Sequence, residues 1–136
     1  MPTNRTNRTG LVVLVCGGRD YADRRLLFAT LDSIHERTPI SLIISGACSD
    51  PDHDGDMRGA DWIGIQWAVS RQVDFAGCPA RWRVDGYPQA GPKRNQRMLD
   101  DHSPDIVVAA SGGSGTSDMV RRARKAGVEV VEVKSE

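Results

Sequence analysis

The chain of 136 residues lacks an excess of charge of either sign. Its 18 lysines and arginines balance 18 aspartates and glutamates, so the formal net charge at pH 7 is zero. Broad electrostatic attraction to nucleic acid or to an anionic membrane depends on such an excess, so both classes of partner are disfavoured. A local basic pocket is still compatible with this balance.

Cysteines and long apolar runs are also scarce. The three cysteines are odd in number and far apart in the sequence, which argues against a disulfide framework. The longest apolar run, from Leu11 to Cys16, is far too short to span a bilayer, and the N-terminus lacks the apolar core of a secretory signal. We therefore expect a cytoplasmic protein without a membrane partner.

Apolar, β-branched runs alternate with segments of helical spacing along most of the chain. Strands are predicted at residues 11–16, 40–45, 73–76, 105–110 and 128–133. Helices are predicted at residues 58–71, 92–101, 116–126 and 22–37, whereas 77–91 is predicted to be irregular and 1–10 a flexible polar tail. Helical crossovers imply parallel pairing of the strands. We therefore predict the α/β class: a single Rossmann-like, three-layer domain over residues 11–136, with a five-stranded parallel sheet in the order 3-2-1-4-5.

Glycines are abundant, at 14 residues, and they cluster where predicted strands end. Gly17 and Gly18 follow the first strand, Gly46 follows the second, and the run Gly112–Thr116 follows the fourth. Ligands of such sheets lie at the carboxyl ends of the strands, and a glycine-preceded helix N-terminus suits a phosphate. The pattern is neither a Walker loop nor the dinucleotide fingerprint, so an ATPase and a nicotinamide dehydrogenase of the usual design are disfavoured.

Charged and polar residues near these glycines complete the predicted pocket. Arg19 suits a bidentate grip on phosphate, with a salt bridge to Asp20 or Asp23 as the alternative. Arg94 lies in the first turn of a predicted helix, where a cation opposes the helix dipole, which favours a ligand role. Asp61 suits either a ribose contact or the start of a helix. The predicted ligand-binding residues are Gly17, Gly18, Arg19, Ser45, Gly46, Arg58, Gly59, Asp61, Arg94, Asn95, Gly112, Gly113, Ser114, Gly115 and Thr116.

Four sequence blocks, in this order, resemble the SLOG superfamily, which includes the DNA-processing protein DprA/Smf and the cytokinin-activating LOG enzymes. They are Cys16–Tyr21, Ser45–Ala47 with Arg58–Asp61, Ala90–Asn95, and Gly112–Val120. The blocks resemble most strongly the small YspA-like branch, which is common in bacteria, phages and plasmids. The resemblance implies a Rossmann-like fold, a nucleotide-type ligand in the glycine-lined pocket, and self-association into a homo-oligomer.

The sequence departs from the LOG motif Pro-Gly-Gly-x-Gly-Thr-x-x-Glu at two positions. Ser111 stands at the proline position and Met119 at the position of the catalytic glutamate. A thioether cannot act as a general base or stabilise an oxocarbenium ion as a carboxylate does. Asp118 lies one residue earlier, about 100° around the helix. If the protein is an enzyme, Asp118 or Asp61 would supply the carboxylate and Arg94 would stabilise the phosphate; we lean towards binding without turnover.

An acidic insertion from Cys48 to Met57 separates the two parts of the second block, Ser45–Ala47 and Arg58–Asp61. Asp50, Asp52 and Asp54 follow the D-x-D-x-D-G spacing of a calcium loop, and Asp61 falls at the twelfth position of that frame. A divalent cation at these aspartates is one alternative, and a plain polar insertion is the other. We predict no resident metal or cofactor.

Three functions follow from these features. The leading hypothesis is binding of a nucleotide or nucleotide-derived ligand by a sensor or sequestering module. The alternative is a LOG-like N-glycosidase that hydrolyses nucleoside 5′-monophosphates. The third is single-stranded DNA binding as in DprA, which the zero net charge and the absence of an aromatic-rich basic groove make the weakest.

Overall fold

The computed structural model describes residues 9–46, 59–78, 82–86 and 88–133. Most of the predicted tail at residues 1–10 lies outside the described residues. The same holds for Arg58 and for the acidic insertion with Asp50, Asp52 and Asp54.

Strands and helices alternate along the described parts of the chain. The strands are β1 Leu11–Cys16, β2 Ile40–Ser45, β3 Asp74–Gly77, β4 Ile106–Ala109 and β5 Glu129–Glu132. The helices are α1 Arg24–Arg37, α2 Gly59–Ser70, α3 Trp82–Asp85, α4 Ala90–His102 and α5 Ser114–Lys125. None of these helices is both long enough and apolar enough to cross a membrane.

The five strands form one parallel sheet in the order β3-β2-β1-β4-β5, which confirms the predicted fold class and strand order. Strand β1 lies in the middle, and its residues Val12 to Val15 are at most 1% exposed. An uninterrupted apolar run suits this position because helices cover both faces of the sheet. The short helix α3 was not predicted; it lies within the segment 77–91 that the sequence indicated as irregular.

Two hydrophobic clusters, one on each face of the sheet, make up the core. On one face α1 and α2 pack with side chains that include Leu27, Leu31 and Trp67. On the other face α4 and α5 pack with side chains that include Met98 and Met119. This arrangement is the predicted three-layer architecture, and it buries the methionine that replaces the LOG glutamate.

Backbone hydrogen bonds join the loops at the carboxyl edge of the sheet. The amide of Gly18 donates to the carbonyl of Ser111 over 2.9 Å. The amide of Ala110 donates to the carbonyl of Cys16 over 2.8 Å. The carbonyl of Gly18 also accepts from the amide of Ala60, at the start of α2, over 3.2 Å. The loops after β1 and β4 and the first turn of α2 therefore meet at one point.

The helices that start near this point are capped differently. Helix α1 has a side-chain cap, because the carboxylate of Asp23 accepts from the amide of Leu26 over 3.1 Å. Helix α5 is preceded by Gly113, which has no side chain to cap it. The first amides of a helix have no carbonyl one turn before them, so the start of α5 presents donors at the sheet edge.

Candidate functional site

A cleft of about 220 Å³ opens at the carboxyl edge of the sheet, beside the ends of β1 and β4. Strands β2 and β4 flank β1 on opposite sides, so the strand order reverses at β1. Ligands of open α/β sheets bind at such a reversal of strand order. The structure brings ten of the fifteen predicted ligand residues into its lining: Gly17, Gly18, Arg19, Gly46, Asp61, Arg94, Asn95, Gly113, Gly115 and Thr116. The sequence analysis missed two lining residues: Cys16, which ends an apolar run typical of a core strand, and Met98, for which it made no prediction.

Three of the predicted ligand residues form the frame of the cleft instead of its lining. Ser45 is fully buried, and its hydroxyl donates a hydrogen bond to the backbone carbonyl of Asp61 over 2.8 Å. This bond connects β2 to α2. Gly59 has a φ of +85°, and a Cβ there would lie 2.8 Å from the Cα of Arg19. A Cβ on Gly112 would overlap the side chain of Thr116. These positions are therefore explained by packing and backbone shape rather than by the predicted ligand contact.

The other two predicted ligand residues are Ser114 and Arg58. Ser114 is exposed at the first position of α5 and does not line the cleft. Arg58 precedes α2 and falls outside the described residues.

Two of the lining glycines approach other groups too closely for any side chain. A Cβ on Gly17 would lie 2.5 Å from the Cβ of Ala60 and 2.8 Å from the Cβ of Ala110. A Cβ on Gly46 would overlap the guanidinium of Arg94. Gly17 would therefore be needed for packing even without a ligand, whereas a side chain at Gly46 would displace the guanidinium of Arg94.

Gly113 and Gly115 differ from every glycine just described. A Cβ at either position would have no atom within 4 Å, and neither residue has a positive φ. Glycine in a helix costs about 1 kcal/mol relative to alanine, so Gly115, inside the first turn of α5, is unfavourable for the helix. Packing explains neither glycine, and backbone shape does not require Gly115, whereas Gly113 is the N-cap of α5 with a φ of −97° and a ψ of −144°, a position where glycine is common. Bare backbone beside the cleft is what they provide.

A chain of hydrogen bonds fixes Arg94 beside this bare backbone. The guanidinium donates through Nη1 to the carbonyl of Gly46 over 2.9 Å and through Nε to Oδ1 of Asn95 over 3.0 Å. Asn95, only 3% exposed, donates through Nδ2 to the carbonyl of Gly115 over 3.2 Å. Asn95 therefore acts as a positioning residue that holds the cation and the start of α5 in register.

Asp61 places a carboxylate in the same cleft. The side chain is half-buried, and burial raises its pKa to about 6 although the charge of Arg94 lowers it. Within the described residues, no hydrogen bond or ion pair reaches the carboxylate oxygens of Asp61. Burial, with a further contribution from Asp61, also raises the pKa of the neighbouring Cys16 thiol to about 12, so this thiol stays protonated and is a poor nucleophile.

Asp118, the predicted catalytic carboxylate, lies outside the lining of the cleft. It accepts hydrogen bonds from Nη2 of Arg121 over 2.6 Å, Nε of Arg122 over 2.8 Å and Nδ2 of Asn95 over 3.0 Å. Burial raises the pKa of Asp118, but the hydrogen bonds from Asn95 and Arg122 outweigh this effect, so the pKa is lowered overall. An ionised carboxylate with these partners joins α4 to α5 and is poorly placed to transfer a proton to a ligand.

Metal ligands are not assembled in the described residues. Within residues 9–46, 59–78, 82–86 and 88–133, no three histidine, cysteine, aspartate or glutamate side chains come together as a metal site. The alternative of a divalent cation at Asp50, Asp52 and Asp54 lies outside these ranges.

Comparison with models of protein families identifies the family of the chain. The model described as the YspA, cpYpsA-related SLOG family matches residues 11–84, more than half of the chain. The chain belongs to this family. The match includes Gly17, Arg19, Gly46 and Asp61 of the cleft, whereas Arg94 and the glycines of α5 lie beyond it. The predicted YspA-like branch of the SLOG superfamily is therefore confirmed.

Comparisons with individual proteins add the fold alone. No curated protein matches the chain. Among solved structures, a universal stress protein from Archaeoglobus fulgidus is similar to this SLOG chain, with 17% identity and a TM-score of 0.54. The similarity covers 91% of this chain and 93% of that one. At this identity the two proteins share an architecture, and nothing further is transferred.

Asp61→Asn is expected to stabilise the protein at about pH 7.5, by on the order of 2 kcal/mol. The folded-state pKa lies above the unfolded one, so folding becomes less favourable as pH rises and the buried carboxylate ionises. The gain should therefore shrink to about 1 kcal/mol at about pH 4.5, where the folded-state carboxyl is largely protonated although the unfolded one is still mostly ionised. Urea unfolding at the two pH values measures it.

Asp100→Asn provides the matched control, because Asp100 is an exposed carboxylate on α4. This variant should change the free energy of unfolding little at either pH. A destabilised Asp61→Asn variant, or a gain of equal size at both pH values, would contradict the electrostatic account of the cleft.

Proposed function

We propose that the cleft binds the phosphate of a nucleotide or nucleotide-derived ligand, and that the protein acts as a sensor or sequestering module. The observation that carries this proposal is Gly115, in the first turn of α5, whose lack of a side chain serves neither packing nor backbone shape. Membership of the SLOG family supports a nucleotide-related ligand in general terms.

The chemistry around Gly113 and Gly115 suits an anion. The amides of the first turn of α5 are unpaired donors at the positive end of the helix dipole, and together they attract negative charge. Arg94 adds a charged guanidinium that is held in place through Gly46 and Asn95. A fixed guanidinium binds a phosphate with little further loss of side-chain freedom, and its bonds to phosphate are charge-assisted.

The size of the cleft indicates which part of the ligand it holds. Pockets for complete small-molecule ligands usually enclose about 300–1,000 Å³, and this cleft falls below that range at about 220 Å³. It suits a phosphate group with part of a sugar. The base of a nucleotide would have to lie elsewhere.

Binding without turnover is favoured by what the cleft does not present. Met119, at the position of the LOG glutamate, is 1% exposed and belongs to the core. Asp118 is held by two arginines, and the Cys16 thiol stays protonated. Of the two carboxylates considered, Asp61 lines the cleft and Asp118 does not.

Asp61 favours one alternative, a nucleotide N-glycosidase. A carboxylate whose pKa lies at about 6 can act as a general acid or base near neutral pH. In that reaction water would add to the anomeric carbon of the ribose phosphate, and the base would leave with a proton. Asp61 would then take the role that the sequence analysis assigned first to Asp118.

Other expectations from the sequence stay predictions. These are self-association into a homo-oligomer, a cytoplasmic location, a bacterial or phage origin and the extension of the domain to residue 136. Nucleic acid stays an unfavoured partner because the chain has no net positive charge.

Gly115→Ala is expected to reduce the affinity for sulfate and for AMP at least tenfold, because a methyl group would stand beside the amides that bind the anion. The free energy of unfolding should stay the same or rise slightly, since alanine favours the helix and meets no atom. Isothermal titration calorimetry and urea unfolding measure the two effects.

Two further variants make this experiment specific. Lys125→Ala, at the opposite end of α5, should leave affinity unchanged. Gly112→Ala should lower the free energy of unfolding by roughly 1–3 kcal/mol, because the added Cβ would overlap Thr116. Unaltered sulfate affinity in Gly115→Ala would overturn the proposed phosphate site.

Incubation of the protein with AMP separates binding from hydrolysis. Binding alone predicts saturable association and no release of adenine, as followed by chromatography. Release of adenine that is lost in Asp61→Asn and kept in Asp118→Asn would instead establish the N-glycosidase, with Asp61 as its carboxylate.

A further inference from the structure

The amide group of Asn95 makes a hydrogen bond with each of its polar ends. Its Oδ1 accepts from Nε of Arg94 over 3.0 Å. Its Nδ2 donates to the carbonyl of Gly115 over 3.2 Å and to Oδ2 of Asp118 over 3.0 Å. Because Asn95 is almost fully buried, the loss of any of these partners would leave a buried polar atom without a hydrogen bond, which costs free energy.

The orientation of this amide depends on the chemistry of its partners. The two ends of an asparagine amide have the same shape, but one accepts hydrogen bonds and the other donates them. An ionised carboxylate only accepts and a guanidinium only donates, so Asp118 requires the Nδ2 end of Asn95 and Arg94 requires the Oδ1 end. The carbonyl of Gly115 favours the same orientation over a longer distance. In a reversed amide, the contacts with Asp118 and Arg94 would both become repulsive.

Asp118 is held in place from the side that faces away from Asn95. Its side chain is 12% exposed, and its Oδ2, which meets Asn95, also accepts from Nε of Arg122 over 2.8 Å. Its Oδ1 accepts from Nη2 of Arg121. Arg122 in turn donates through Nη1 to Oε1 of Gln96 over 2.9 Å. The acceptor that Asn95 meets is therefore a charged group with a defined position.

At the other end of this chain of hydrogen bonds, Arg94 lines the cleft. Its Nε and Nη1 are engaged by Asn95 and by the carbonyl of Gly46. Among the described residues, none accepts a hydrogen bond from Nη2 of Arg94. The guanidinium is planar, so two hydrogen bonds to fixed acceptors also set the direction of the remaining N–H groups. A donor that is already oriented loses less freedom when an anion binds.

We infer that Asp118 is a positioning residue of the anion site, which acts through Asn95 on the guanidinium of Arg94. Asp118 lies outside the lining of the cleft, so its effect on a ligand passes through the orientation of the Asn95 amide. This inference rests on the proposed function, because the anion is what an oriented Arg94 serves. It gives Asp118 a role in binding in place of the catalytic role that the sequence suggested.

Two substitutions of Asp118 differ in whether they keep the acceptor. Asp118→Leu removes it at a similar side-chain size. Asp118→Asn keeps a carbonyl oxygen, which can replace Oδ2 towards both Asn95 and Arg122. Sulfate affinity, measured by isothermal titration calorimetry, should fall roughly tenfold in Asp118→Leu and stay close to the wild-type value in Asp118→Asn.

The Nε–H resonance of Arg94 in ¹⁵N NMR spectra of the ligand-free protein reports on the guanidinium itself. Its absence from the spectrum of Arg94→Lys assigns it. The Nε proton should exchange slowly with water in the wild type and in Asp118→Asn, because Asn95 accepts it. In Asp118→Leu it should exchange faster. A role of Asp118 confined to joining α4 to α5 would not change this exchange.

Arg121→Ala is the matched control for stability. It removes the hydrogen bond to Oδ1 of Asp118 and leaves Oδ2 in contact with Asn95, and Arg121 is 71% exposed. Its free energy of unfolding should fall slightly, whereas its sulfate affinity and the resonance of Arg94 should stay as in the wild type. Asp118→Ala also lacks the acceptor and favours the helix, so the test survives if Asp118→Leu fails to fold.

The outcomes separate the two proposals. If the wild type binds sulfate and both Asp118→Leu and Asp118→Ala keep its affinity, the positioning role is wrong and the phosphate site stands. An equal loss of affinity in Arg121→Ala would also overturn the positioning role, because the contact between α4 and α5 would then explain the effect. If the wild type does not bind sulfate, the proposed function is wrong, and the inference with it.

Discussion

The close approach of the loops that follow β1 and β4 is the constraint on which the site depends. The carboxyl ends of the two central strands are joined by the hydrogen bond from Gly18 to Ser111, and only glycine fits between them at Gly17 and Gly112. A side chain at either position would separate the loops and move the start of α5 away from Arg94. The close approach of these loops is therefore required both for packing in the centre of the sheet and for the geometry of the cleft.

Asp61 and Asp118 differ in what surrounds their carboxylates. Asp118 is surrounded by donors, which keep it ionised and use it to join α4 to α5. Asp61 is held half-buried with a raised pKa, so its ionisation near neutral pH costs stability. Functional sites are where proteins tolerate such costs, which makes Asp61 and the Arg94 beside it the informative pair.

Sequence reasoning predicted the sheet well because β1 and β2 are continuous apolar runs, which are typical of central parallel strands. It missed α3, which is four residues long and carries too little periodicity to recognise. Strand-end glycines also predicted the edge at which the cleft lies. The separate roles of Gly112 and Gly115 could not be predicted, because they depend on distances between loops that are remote in sequence. The same reason explains why Asp118 was preferred to Asp61 as the catalytic carboxylate. Helical spacing does not reveal that two arginines and Asn95 donate hydrogen bonds to the carboxylate of Asp118.

The central claim is that an anion binds at the start of α5 beside Arg94. Titration of the isotopically labelled protein with inorganic phosphate, followed through its backbone amide resonances, tests this most directly. The account predicts saturable shifts that are largest at Gly113, Gly115 and Thr116, with little change along the edge strand β3. Shifts that fail to saturate, or that are largest away from this turn, would contradict it.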